Sequence, residues 1–296
     1  MSKSSESGLV SDYINVRRGN VTTPVNETTT EEDNETEQIS QFYKIQISDI
    51  MGRYLVAKSD IPAGTIILEE DPLVVGPSQG SSPLCIACYK PIQLSNCARN
   101  QNETAWTIIS SMEAHEKYRR KTEMWNSDCT LINFIKNTTN LTQLTEDEIH
   151  SVCGYIQVNG FGVEGKEVTA LFPSAFLLSH DCTPNTTHVI DSKFHLTIRT
   201  TVSIKKGDPL TISYCNTLQG TLWRREQLLG SKFFSCTCKR CSDNTEFNTF
   251  TSAVKCEKCQ NGYLLPTNPL DDSSDWKCDI CFNHKQKEII YNFVNR

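Results

Sequence analysis

Residues 171–185 read LFPSAFLLSHDCTPN. Five apolar side chains (Leu171, Phe172, Phe176, Leu177, Leu178) give way at Ser179 to a polar turn carrying His180, the Cys182 thiol and an Asn185 held by Pro184. A chain that runs apolar and then turns abruptly polar leaves the core at a site. Downstream lie Tyr214, at the end of the apolar run PLTISY, and the close triplet Cys236, Cys238 and Cys241 in CTCKRC. Tetrahedral zinc takes four ligands, so this CxCxxC triplet lacks one. Cys182 is the obvious fourth donor, with Cys153 and Cys215 competing. Closure through Cys182 would staple the His180 turn against whatever follows Tyr214.

A second cysteine group, Cys256, Cys259, Cys278 and Cys281, forms two CxxC pairs at the spacing of a zinc ribbon. Each CxxC makes a tight knuckle presenting two thiolates, and the intervening hairpin returns the second knuckle to the first. The bland role of such a ribbon is structural, and few basic residues lie between the knuckles to suggest more. Cys85, Cys88 and Cys97 make a weaker third group, because Asn100 stands where a second CxxC pair would end.

Net charge is −6 over 296 residues, and three basic residues (Lys3, Arg17, Arg18) face eight acidic ones within residues 1–41. The tail therefore carries most of the charge, and the near-neutral body lacks the whole-domain basic field that nucleic acid attracts. Residues 1–41 are rich in Ser, Thr, Asn and Glu and read as a disordered acidic tail. The first twenty residues contain no apolar core of a signal peptide, and no stretch approaches the eighteen apolar residues of a membrane span. The 14 cysteines are then expected to be reduced, in an intracellular protein of the nucleus or cytoplasm, with close pairs acting as metal ligands before disulfides.

Order begins near Tyr43. YKIQIS and RYLVA alternate as strands, and TIILEE follows the turn Pro62-Ala63-Gly64. From Glu103 to about Thr138 the periodicity is helical, with Trp106, Ile109, Met112, Trp125, Leu131, Phe134 and Ile135 as expected buried positions. Thr145 to Glu148 is a capping box opening a helix that stops near Gly160. Strands return in HVI, FHLTIRTTVSI and PLTISY, and residues 221–229 read as one amphipathic helix. The fold class is α+β: short twisted sheets, a helical insert, a zinc cluster and a ribbon.

Taken together, these residues resemble a SET domain, and more narrowly the SMYD (SET and MYND) family of protein-lysine methyltransferases in its arthropod-type branch. The resemblance runs over residues 51–281. MGRYLVA followed by DIPAGTIILEEDPLVVGP is similar to the family's opening segment, VNGF at 158–161 to a turn bearing a cofactor-contacting Asn, and SHDCTPN to the NHSCxPN motif. GDPLTISY is similar to the strand ending in the active-site tyrosine, and FFSCTCKRC to the post-SET zinc cluster, whose fourth ligand in the family is the motif cysteine, here Cys182.

The resemblance implies S-adenosylmethionine on one side of the fold and a narrow lysine channel on the other. By position, Gly52, Arg53, Asn159, Ser179, His180, Phe233 and Phe234 would line the cofactor pocket, and Tyr214 would be the catalytic residue where the channel meets the sulfonium. It implies zinc on Cys182, Cys236, Cys238 and Cys241, beside the zinc that spacing gives to the ribbon, a lysine-bearing protein substrate (histone or non-histone), and transcriptional or chromatin proteins as partners. The chain departs from the pattern at Ser179, in place of the motif's Asn, at Asp181, and at Tyr54, where a Gly normally lets the backbone approach the ligand. The MYND finger survives only as Cys85, Cys88 and Cys97, and the chain stops at Arg296, before the family's helical C-terminal domain, as a truncated isoform or fragment would. The expected organisation is a tail (1–41), the first part of the SET domain (42–78), a degenerate MYND remnant (79–102), the helical insert (103–144), the second part of the SET domain (145–216), the post-SET cluster (217–243), the ribbon (244–284) and a C-terminal tail (285–296). The alternative to an enzyme is a catalytically weak or inactive SET-fold scaffold mediating protein–protein interaction in transcriptional regulation.

Overall fold

The computed structural model describes residues 40–77, 103–138 and 145–294; the acidic tail and Cys85, Cys88 and Cys97 lie outside these residues. The chain starts with a hairpin, β1 (Tyr43–Ser48) and β2 (Gly52–Ala57), in register from Tyr43↔Ala57 to Ser48↔Gly52. Gly52 closes the turn at φ 65, a left-handed value that favours glycine. Tyr54, Leu55, Val56 and Ala57 are all buried. The second edge of β2 explains this: Leu210 N donates to Leu55 O and Ala57 N to Asp208 O, so β2 is covered by the 207–210 segment as well as by β1.

Next come β3 (Ile66–Glu70) and β4 (Val74–Pro77), then the insert, α1 (Glu103–Ser110), α2 (Glu116–Arg119) and α3 (Glu123–Thr138). The expected helical stretch is thus broken at Ser111 to His115, where His115 takes a left-handed φ of 49. Its phase also differs from expectation. Trp106 and Leu131 are exposed, while Met112 and Ile132 are buried. The reason is polar: Asp128 pairs with the fully buried Arg119, which also donates to His150 O and Gln157 Oε1. An ion pair that must stay inside turns Asp128 and Ile132, one helical turn apart, toward the neighbouring helix. The side chains of Phe134 and Ile135 lie outside the described set.

Helix α4 (Glu146–Asn159) begins with the expected capping box: the Thr145 hydroxyl accepts from Glu148 N, and Glu148 reaches back to Thr145 N. Its end is set by Gly160, where a Cβ would lie 2.3 Å from the Thr169 methyl and 2.4 Å from Ile156 O. Strands β5 (Phe161–Gly162) and β6 (Val168–Leu171) join β4 in the order β4-β6-β5. After a 3-10 turn (Ala175–Leu177) come β7 (Ser179–His180), β8 (Thr186–Ile190), β9 (Leu196–Thr200) and β10 (Thr211–Ile212). β3-β9-β8 is one sheet; β7 and β10 form a two-residue parallel pair, Thr211↔Ser179 and Ile212↔His180. The core between the sheets holds Leu55, Ile61, Phe172, Leu178, Leu196, Ile198, Ile204 and Leu210.

The rest is α5 (Thr221–Lys232), α6 (Lys239–Ser242), the antiparallel ribbon β11 (Val254–Lys255), β12 (Tyr263–Pro266), β13 (Trp276–Cys278) and β14 (His284–Lys285), and α7 (Lys287–Val294). Ile290 of α7 packs on Leu264 and Trp276 of the ribbon. Among the described residues no helix is long and apolar enough to cross a membrane.

Candidate active site and zinc centres

The polar turn after Leu178 is fixed by its neighbours on β10. Ser179 N donates to Leu210 O (3.2 Å) and Asp181 N to Ile212 O (3.1 Å). Asn185 then clamps the crossing with its amide: Nδ2 donates to Pro209 O (2.8 Å), and Oδ1 accepts from Thr211 N (2.8 Å). The 179–185 loop is thereby tied to residues 209–212 independently of any metal.

Cys182, Cys236, Cys238 and Cys241 converge, with all four sulfurs within 4.8 Å of one another. Cys182 Sγ lies 3.9 Å from Cys236 Sγ and 3.5 Å from Cys241 Sγ. A tetrahedron of roughly 2.3 Å Zn–S bonds has edges of about 3.8 Å, so the set fits a single zinc ion. Of the competing thiols, Cys153 packs instead with Ile132 and Ile149, where burial pushes it up to about 12. Cys215 lies within reach of Cys182 and His180 but outside the four. The ribbon cysteines also fit: Cys256 and Cys281 Sγ are 3.7 Å apart, as are Cys259 and Cys278.

A buried ion network backs the first cluster. Arg224 reaches Cys241 Sγ (3.5 Å) and Glu246 Oε2 (2.7 Å), Arg240 shares the same carboxylate, and Arg225 donates to Cys236 O (2.8 Å). Burial pushes the Glu246 carboxyl up, but bonds from Ser252, Arg224 and Thr221 outweigh it and hold it below the usual range. Four thiolates on one zinc ion leave a net negative unit, and the guanidinium on Cys241 offsets it. The sequence disguised these residues, since arginines in an amphipathic helix read as its solvent face.

His180 joins the cluster to Tyr214. Tyr214 N lies 3.0 Å from His180 Nδ1, and His180 Nε2 lies 3.3 Å from Cys182 Sγ. An amide N–H can only donate, so Nδ1 accepts and the ring proton of the neutral imidazole sits on Nε2, aimed at the sulfur. Burial keeps His180 neutral by lowering it to about 4. Both nitrogens are committed within the chain, so His180 orders the site rather than reaching out of it with its ring. Tyr214 lies two residues past the end of β10, because its amide has turned to His180 instead of a strand partner. Its hydroxyl donates to Leu178 O in a short hydrogen bond, and burial raises its pKa. Phe234 packs tilted against His180 and edge-on against Tyr214, with centroids 5.8 and 6.4 Å away.

Of the other expected pocket residues, Arg53, Asn159 and Phe233 meet the insert loop Ser111 to His115. Arg53 donates to Ser111 O and lies over the Phe176 ring. Asn159 is the last residue of α4, and its Nδ2 donates to Glu113 O and Tyr155 O, both at 2.9 Å. Phe233, at a left-handed φ of 60, stacks on Tyr118 and meets His115 edge-on. Among the described residues Ser179 Oγ reaches only Leu210 O, at 3.4 Å. Lys232, which sequence reasoning passed over, bridges the two halves: Nζ donates to Val158 O (2.7 Å) and Gln157 O (3.2 Å) and sits 5.7 Å from the centre of the Tyr214 ring. Beside Gly52 the space is open, with no heavy atom within 4 Å of where a Cβ would stand.

Compared with known proteins, residues 52–215 match the SET domain model, just over half the chain. The Drosophila melanogaster SET domain-containing protein SmydA-8, isoform A, is 25% identical over 305 residues, covering 81% of this chain and 65% of that protein. The Xenopus laevis N-lysine methyltransferase SMYD2-A is 28% identical over 157 residues, covering 51% of this chain and 36% of that one. The chain thus spans at most about two thirds of either relative. A solved SET domain of LSMT bound to lysine and AdoHcy superposes with a TM-score of 0.43 at 15% identity, over 79% of this chain and 58% of that one.

Proposed function

The chain belongs to the SET-domain family, its relatives are of the SMYD type, and from that premise we propose that it is an intracellular S-adenosylmethionine-dependent protein-lysine N-methyltransferase with Tyr214 as its catalytic residue. The observation that carries the reading is the chain of contacts from the four-cysteine centre through His180 to Tyr214, which holds the phenol against Leu178 O. Gly52, Arg53, Asn159, Ser179, His180, Phe233 and Phe234 are the residues that would surround the cofactor. The guanidinium of Arg53 and the rings of Phe233 and Phe234 suit a ligand with a carboxylate and an adenine.

When bound, the cofactor supplies an electrophilic methyl on a sulfonium. The chain's own part is alignment. Methyl transfer to an amine is an in-line displacement at carbon, so the protein must hold a neutral amine in line and exclude water. Burial keeps the Tyr214 hydroxyl protonated and unable to act as a strong base at neutral pH. With its proton given to Leu178 O, the phenol oxygen keeps lone pairs to accept an N–H from the incoming amine and point its lone pair away from the ring. An apolar wall of Phe234 and Tyr214 also disfavours the ammonium form of the substrate lysine, which favours the nucleophile.

Calorimetry with S-adenosylhomocysteine tests the pocket, and absence of binding at millimolar ligand leaves the interaction-scaffold reading in its place. Where binding is measured, methyl incorporation into a histone and peptide panel should be lost in Tyr214→Phe. Incorporation that persists removes Tyr214 from the mechanism. A lysine-bearing protein, histone or otherwise, is the substrate class, and chromatin proteins are the partners to screen first.

A further inference from the structure

Helix α5 ends with its last side chain turned inward. Lys232 Nζ reaches past the Tyr214 ring to Val158 O and Gln157 O, the closing carbonyls of α4 just before Asn159. Helix C-terminal carbonyls attract a cation, yet among the described residues no carboxylate forms an ion pair with this ammonium. The groups facing it are few. Among the described residues they are His115 of the insert, with Glu113 beside it, the Tyr214 ring, and the Gln157 and Val158 carbonyls of α4. A cation with no counter-ion therefore stands where the proposed methyl donor, itself a cation at sulfur, would place its charge.

We propose that Lys232 is a charge filter of the cofactor site: its ammonium disfavours a sulfonium beside Tyr214 and tolerates the neutral thioether, so the chain binds spent cofactor in preference to methyl donor until Lys232 loses its proton. The inference rests on the cofactor pocket proposed above and deepens it. Nζ lies 5.7 Å from the centre of the Tyr214 ring, and a like charge brought to about that distance, at an effective dielectric constant between those of water and a protein surface, is disfavoured by about tenfold. The deprotonation falls in an accessible range, because burial lowers Lys232 to about 8. At neutral pH the filter is mostly closed; about one pH unit above 8 it is mostly open.

The test is calorimetry of the full chain with S-adenosylmethionine and S-adenosylhomocysteine in parallel, at about pH 6.5 and about pH 9. The donor's sulfonium acidifies its own α-ammonium relative to that of the thioether, so the wild-type ratio is read against that of Lys232→Arg at the same pH, which carries the same tail titration. Burial holds His115 below its usual value, so it does not stand as a second cation against Lys232 across that range. For the wild type the ratio of donor to thioether constants should fall about tenfold from the lower to the higher pH. Lys232→Arg keeps the charge and should hold the ratio high at both, while Lys232→Gln, once shown to retain zinc and fold, should hold it low at both. A wild-type ratio indifferent to pH, or a Lys232→Arg ratio that falls with pH like the wild type, overturns the filter. Absence of binding by either ligand removes the pocket itself, an outcome distinct from two ligands that bind with a fixed ratio.

Discussion

His180→Phe is the perturbation that separates a positioning histidine from a bystander. Phenylalanine fills a similar volume but offers neither an acceptor to Tyr214 N nor a donor to Cys182 Sγ. The amide of Tyr214 would be left buried without a partner, which costs about 1–3 kcal/mol. Loss of the N–H to the metal-bound sulfur should weaken zinc at the four-cysteine centre by about 10–100-fold, the usual effect of removing an outer partner of a ligand. The ribbon site, with its own cysteines and its own packing on Trp276 and Ile290, serves as an internal reference. Zinc release to a coloured chelator should then become biphasic, one ion leaving much sooner than the other, and the thermal midpoint should fall by several degrees. Release of both ions at wild-type rates with an unchanged midpoint would refute the relay from metal to tyrosine.

Three further outcomes are expected. Glu246→Gln strips the shared carboxylate from Arg224 and Arg240 and should cost about 3–5 kcal/mol, the price of an unpaired buried charge, read by thermal unfolding. Asn185→Ala orphans Thr211 N and Pro209 O and should cost about 2–4 kcal/mol, while leaving the ribbon zinc in place by metal analysis. Lys232 also makes stability depend on pH: lowered to about 8 in the folded chain against 10.5 unfolded, it binds fewer protons in the folded state across that window, so stability should rise with pH there. Denaturant titrations of the wild type should show that rise, and Lys232→Met should lack it.

What could be read from residues alone follows from which interactions are local. The capping box at Thr145 is set by four adjacent residues, and the ribbon by two knuckles whose spacing is itself the geometry, so both needed no tertiary knowledge. The choice of Cys182 over Cys153 and Cys215 was open to spacing, because all three thiols sit near apolar runs; it is decided by the β7–β10 crossing, a long-range pairing that no periodicity encodes. The mis-phased insert has the same origin. Leu131 looks buried on hydropathy, but the buried Arg119–Asp128 pair sets the rotation of α3, and an ion pair is invisible to an apolar count. Lys232 and the arginines of α5 were missed because a charged side chain in an amphipathic helix is ordinarily solvated.

These misses share a physical logic that bears on how the site works. Each is a charge brought inside: Arg224 and Arg240 against Glu246 and a thiolate, Arg119 against Asp128, Lys232 against carbonyls alone. The first two kinds have a counter-charge and hold the frame. Among the described residues the amine of Lys232 has only dipoles, and of these cations it is the one facing Tyr214. In a low-dielectric wall an uncompensated cation is the strongest local field, so whatever enters beside Tyr214 must first answer to its sign. The four-cysteine centre fixes where that encounter happens, since Cys182 lies two residues from His180, and His180 is paired to the strand leading to Tyr214 and bonded to the Cys182 sulfur. Loss of metal should therefore disturb ligand discrimination at Tyr214 before it disturbs the β3-β9-β8 sheet, whose packing involves none of the cysteines.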